Sequence, residues 1–119
     1  MPTNRPRIVC LCGSTRFWRE YLDVGASETL AGRIVLSVGF FVNNASGVPW
    51  LDAHKGITAH QKSALDELHL RKIDLADEIL VLNVGGYIGE STANEIRYAL
   101  ELGKPLRYLE AQREEAFAR

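Results

Sequence analysis

Glu95 stands at the end of the run Gly85-Gly86-Tyr87-Ile88-Gly89-Glu90-Ser91-Thr92-Ala93-Asn94-Glu95, whose three glycines let a backbone approach a ligand closely. The spacing Thr92-x-x-Glu95 matches a capping box, in which the carboxylate turns back to the start of its own helix. The helical wheel points elsewhere. Asn94, Arg97 and Glu101 share a solvated stripe with an Arg97/Glu101 pair, and Ile96, Ala99, Leu100 and Leu102 form a buried one. Glu95 falls on the flank of the buried stripe, where it is partly shielded while the helix N-terminus favours its ionised form. An oriented carboxylate of that kind suits nucleophilic attack at a sugar carbon. Cap and nucleophile both remain open at this point.

A second group is Gly13-Ser14-Thr15-Arg16, between a strand-like run and a helix-like one. Backbone N–H groups at a helix start attract anions, and hydroxyls with a guanidinium complete a phosphate cradle. The plainer reading is a βα turn with Ser14 or Thr15 as N-cap. Neither GxGxxG nor GxxxxGK[ST] is present, so a dinucleotide or Walker-type site is not supported. His69 shares a helical face with Leu65, Ile73 and Ala76, which reads as a core histidine or a group that holds a substrate hydroxyl or moves a proton. His54, His60 and His69 lack the HxxxH and HExxH spacings, so no metal is expected.

These residues need elements to position them. Arg7–Cys12, Arg33–Val38, Ile79–Asn83 and Leu106–Leu109 read as strands, the first and third as continuous apolar runs buried on both faces. Helical spacing covers Phe17–Leu30, with Phe17, Trp18, Tyr21, Leu22 and Leu30 as its apolar positions; further helices run from about Ser63 to Ala76 and from Thr92 to Leu102. Phe40–Lys62 is a long connection carrying Phe40, Phe41 and Trp50, and Glu110–Arg119 a short charged helix or tail. Asp74, Asp77 and Glu78 read as solvated or capping. The alternation predicts one α/β domain over residues 1–119, Rossmann- or flavodoxin-like, with a parallel sheet of four to five strands and helices on both faces. Right-handed crossovers bring all strand C-termini to one edge, where ligands bind at the switch in strand order. Gly13–Arg16 and Gly85–Ser91 both emerge there.

Composition narrows the function. Fourteen Lys and Arg against fifteen Asp and Glu give a net charge of −1, against the basic face that a nucleic-acid polymer requires. No apolar run is long enough to span a bilayer, and the first residues lack the pattern of a signal peptide. Cys10 and Cys12 lie two apart in a strand, so they share a face and do not readily bridge. A reduced, cytoplasmic protein is expected.

Two segments resemble the nucleoside 2-deoxyribosyltransferase-like superfamily, which includes 2′-deoxynucleoside 5′-monophosphate N-glycosidases. Leu11-Cys12-Gly13-Ser14-Thr15-Arg16-Phe17 is similar to its first-strand loop. Ile73–Asn83 followed by Gly86–Pro105 is similar to its second half, an aspartate, a strand, a glycine loop, Glu-x-x-x-Ala and Gly-Lys-Pro in that order. The resemblance covers about half of the chain and leaves the long connection unmatched.

It implies that Glu95 attacks C1′ of the sugar and that Ser14, Thr15, Arg16 and Ser91 hold a 5′-phosphate. Tyr87 and His69 would line the sugar, with Gly13, Gly86, Gly89 and Glu90 completing the substrate site, and the Phe40–Lys62 segment would cover the base. Two positions depart from the pattern: His69 stands where these enzymes commonly carry an aspartate, and Gly89, beside Glu90, stands where the transferases carry another. The implied activity is an N-glycosidase acting on a nucleotide or deoxynucleotide through a glycosyl-glutamate intermediate, without cofactor. The alternatives are a nucleoside deoxyribosyltransferase and a nucleotide-sensing module that does not turn over. So small a domain has little wall to enclose a nucleotide, and a homodimer or higher homo-oligomer is expected.

Overall fold

A computed structural model of the chain describes residues 4–39 and 58–111. Most of the Phe40–Lys62 connection and the end of the C-terminal tail lie outside the described residues.

The β-branched and apolar runs form four strands: β1 (Ile8–Cys12), β2 (Ile34–Leu36), β3 (Glu78–Val81) and β4 (Leu106–Tyr108). They make one parallel sheet in the order β2-β1-β3-β4. Cys10 pairs with Leu36 on one side and with Ile79 on the other, and Cys12 with Val81. Alternation along β1 sends Val9 and Leu11 to one face and Cys10 and Cys12 to the other. Helix α1 (Trp18–Leu30) covers the first face through Tyr21, over Val9, Leu11, Leu80 and Leu82. Helices α2 (Ala59–Leu75) and α3 (Glu90–Glu101) cover the second, where Ile73 and Ala99 pack on Cys10, Cys12, Ile79 and Val81. The expected α/β architecture with helices on both faces is what the chain forms. Among the described residues, no helix is long and apolar enough to cross a membrane.

The helices depart from their sequence reading in register and in face. Helix α2 begins at Ala59, inside the stretch read as loop, because Thr58 and Gln61 close a reciprocal capping box. Helix α3 begins at Glu90 with Gly89 as N-cap, so Thr92 lies inside the helix and is buried. The Thr92–Glu95 capping box therefore does not form. Leu22 and Leu30 on α1, and Leu100 and Leu102 after them in the chain, are exposed. The covered stripe of α3 is Thr92, Glu95, Ile96 and Ala99, because each helix rests on the sheet along a narrower strip than its apolar residues span. Arg97 donates to Asn94 rather than pairing with Glu101.

At the N-terminal edge of the sheet, Glu28 of α1 and Glu78 of β3 are buried and share Arg107 of β4, at 2.6 and 2.8 Å. Arg33 and Arg7 add further ion pairs. Glu78 is thus a buried network member, not a solvated residue. Asp77 accepts the backbone N–H of Ile8 at 2.8 Å and a two-pronged contact from Arg5. The opposite edge is left for a ligand.

Candidate active site

In this strand order the connection after β1 leads to β2 on one side and the connection after β3 leads to β4 on the other, so a crevice opens between the C-terminal ends of β1 and β3. Two loops wall it. The first follows β1 at Gly13, where an added Cβ would lie 3.0 Å from the Leu82 Cβ and 3.1 Å from the Leu82 carbonyl oxygen. Only glycine lets this loop pass so close to the end of β3. Tyr21 fixes it from α1 by donating to the Gly13 carbonyl at 2.7 Å. Ser14 then caps a 3₁₀ turn over Thr15–Phe17, its Oγ accepting the Arg16 N–H at 3.2 Å. The second loop follows β3, turning through Gly85 and Gly86 at φ of +63° and +83°, values that side chains rarely adopt.

Between the loops and α2 is a cleft of about 340 Å³. Gly13, Ser14 and Thr15 border it from the first loop, and Tyr87, Gly89, Glu90 and Ser91 from the second. His69 reaches it from α2 and Glu95 from α3. Arg16 and Gly86 stay outside this lining. The Arg16 guanidinium instead lies over the Tyr87 ring, 4.4 Å from its centroid, and Phe17 meets the same ring edge-on at 6.0 Å. Among the described residues, the cations that border the cleft are Lys62 and Lys72, both on α2. Lys62 lies 3.4 Å from the Ser91 hydroxyl and pairs with Asp66 at 2.9 Å, while Lys72 donates to the Ser37 carbonyl at 2.6 Å. Neither lysine was singled out from the sequence. Lys62 sits one turn after Thr58, so the Thr-x-x-Gln cap is the signal that would have placed it on a helix facing the crevice.

The floor is a polar cluster inside the core. The Glu95 side chain is 13% exposed and its Oε1 lies 3.9 Å from Nε2 of His69. His69 is buried, with Nε2 3.6 Å from Cys10 Sγ and 3.4 Å from Cys12 Sγ. Burial raises the pKa of Glu95 above the usual carboxylate range; His69 opposes this, and the charge of Cys10 adds to it. Desolvation thus outweighs the expected effect of the helix N-terminus, from which Glu95 is more than one turn removed. For His69, burial favours the neutral ring, but its hydrogen bond and attraction to Cys10, with the Glu95 charge, raise its pKa overall. The hydrogen bond from Cys12 lowers the Cys10 thiol to about 6 against the effect of burial, with help from His69. Cys12 is pushed well up by its hydrogen bond with Cys10 and by burial.

No protein-family model and no curated protein matches the chain. Among solved structures, it is similar to the 2-deoxyribosyltransferase from the psychrotolerant bacterium Bacillus psychrosaccharolyticus, with a TM-score of 0.59 at 16% identity. The match covers 89% of this chain and 77% of that one. The chain has a nucleoside 2-deoxyribosyltransferase-like fold. Within this fold the two regions that carry the sequence resemblance, the loop after β1 and the β3-loop-α3 unit, are the two walls of the cleft.

Proposed function

We propose that this protein cleaves the base–sugar bond of a nucleotide or deoxynucleotide of the nucleoside 5′-monophosphate class, with Glu95 as nucleophile. The observation that carries this reading is the position of Glu95: largely shielded at the floor of the switch-point cleft, free of any capping role, and beside His69. In the first step a Glu95 carboxylate oxygen bonds to C1′ while the C1′–N bond breaks, its electrons leaving with the base, which takes up a proton. In the second step water adds to C1′ and gives up a proton, which balances the one taken by the base. The Glu95–C1′ bond breaks with its electrons returning to the carboxylate, so the sugar is released with retention. A raised pKa makes the carboxylate more basic and a stronger nucleophile once ionised. Ser14, Thr15 and Ser91 offer hydroxyls for the phosphate, with Lys62 supplying the charge nearest to Ser91. Tyr87 and His69 line the sugar. Arg16 serves this site through Tyr87, whose ring it covers.

Incubation with a panel of nucleosides, nucleoside monophosphates and their deoxy forms, followed by detection of free base, tests the proposal. Release from monophosphates that disappears in Glu95→Gln is expected. Tight binding without release from any member would instead identify a sensor. The similarity to a 2-deoxyribosyltransferase favours a second reading, transfer of the sugar to another base, and adding a free acceptor base to the same assay separates transfer from hydrolysis. The open cleft also fits a homo-oligomer in which a second copy helps to enclose the substrate, and this is read from the mass in solution.

A further inference from the structure

The cluster beneath the cleft sets two thiols that the glycosidase reading does not use against the His69 and Glu95 that it does. Cys10 and Cys12 project from the same face of β1, and His69 reaches them from α2. All three are buried, and their donor atoms lie within 4.8 Å of one another. Glu95 brings a fourth donor from α3, 3.9 Å from the imidazole.

We propose that Cys10, Cys12 and His69 bind Zn²⁺, with Glu95 in the fourth position. Two sulfurs, one imidazole and one carboxylate are a donor set that zinc takes in tetrahedral geometry. Bonds of about 2.3 Å to sulfur and about 2.05 Å to nitrogen at the tetrahedral angle place S and N about 3.6 Å apart. The observed separations of 3.6 and 3.4 Å are already at that edge length. The corresponding N···O edge is about 3.3 Å; Glu95, 3.9 Å from Nε2 and outside the 4.8 Å group formed by the other three donors, moves in to take the fourth position. His69 and Glu95 border the cleft, which gives an ion a route to the two sulfurs behind them. Binding displaces the thiol protons to solvent. A carboxylate held by zinc cannot attack C1′, so the ion switches off the proposed reaction. That consequence rests on the glycosidase reading; the metal binding does not.

Titration of the reduced, metal-free protein with Co²⁺ as the spectroscopic substitute is the test. One equivalent is expected to produce thiolate-to-cobalt charge transfer with tetrahedral visible bands, which Zn²⁺ then abolishes by displacement. Cys10→Ser and Cys12→Ser are each expected to weaken binding by about a hundredfold or more and to reduce the charge-transfer band. Glu95→Gln is expected to keep that band while weakening affinity about tenfold. Absence of the band in the wild-type protein at stoichiometric cobalt overturns the site, as does unchanged affinity in a folded Cys12→Ser variant. A purely hydrogen-bonded Cys–His cluster gives those results. Base release measured in parallel separates the two proposals: no release from metal-free protein overturns the glycosidase reading alone, whereas undiminished release at saturating zinc overturns Glu95 as the fourth ligand.

Discussion

His69 of α2 and Glu95 of α3 meet with Nε2 and Oε1 3.9 Å apart, from helices that pack side by side on one face of the sheet and are tied together by Arg71 and Asp74 at Tyr98. Their approach depends on two unrelated local decisions. The Thr58–Gln61 cap fixes the start of α2, and Gly89 starts α3 three residues before Thr92. The second decision places Glu95 more than one turn inside its helix, on the covered stripe. A carboxylate at that depth carries a desolvation cost that a capping carboxylate would avoid.

Glu95→Gln should therefore separate stability from activity. The amide keeps the shape and loses the buried charge, so the melting temperature is expected to stay level or rise. Base release is expected to fall by about a thousandfold, the scale of losing a nucleophile. Thermal melts beside a base-release assay check both. A variant that retains more than a tenth of wild-type release would remove Glu95 from the chemistry.

His69→Gln retains a polar group near the sulfurs but cannot carry an imidazolium's charge. Without that charge the buried carboxyl of Glu95 becomes harder to ionise, since His69 now works against its raised pKa. The expected result is a kcat lowered about ten- to a hundredfold, with a smaller change in KM. Steady-state kinetics at fixed pH decide it. A change confined to KM would make His69 a contact for substrate only.

The parallel sheet and the two walls of the cleft were legible because their signals are strong and local: continuous apolar runs, each closed by a glycine loop. His69 and Glu95 were legible as helix-face positions. The contact of Arg16 with the Tyr87 ring was not legible, because the two residues lie in different loops that only the sheet brings together. Leu100 and Leu102 were read as buried from apolarity alone, yet α3 turns Thr92 and Glu95 inward in their place. The cysteine cluster was hidden for a different reason. His69 lies 57 residues from Cys12 along the chain, and only the packing of α2 on β1 brings them together. Two Thr-x-x-Glu/Gln patterns are present, and the pattern alone does not reveal which one caps a helix.

Gly13→Ala tests the close passage between the first loop and β3. The new methyl would press on the Cβ and carbonyl oxygen of Leu82, a residue with no exposed surface and no room to yield. A cost of about 1–3 kcal/mol is expected, the range for overpacking a filled site. Substrate binding should weaken as well, because the shifted loop carries Ser14 and Thr15. Urea unfolding and a binding titration measure the two effects. Wild-type stability would show that the loop is not held against Leu82 in solution.

Acid should weaken the fold through Glu78. Burial alone would raise its pKa, but the hydrogen bond and charge of Arg107, with those of Arg7, prevail and lower it. In the unfolded chain the carboxyl returns to its ordinary value near ~4.3. The unfolded state therefore takes up protons first as the pH falls, and stability declines with it. The contribution is complete above the ordinary glutamate range and is lost as pH drops through the lower folded-state value. Asp77, held low by its hydrogen bonds from Arg5 and the Ile8 N–H, acts in the same direction. Through these two groups urea midpoints should fall below about pH 5, with the raised pKa of Glu95 acting in the opposite direction. Glu78→Gln removes one titrating group of this edge, so its midpoint should start lower at neutral pH and fall less steeply in acid. Parallel pH profiles for the two proteins would show that the Arg107–Glu78 contact is not maintained in solution.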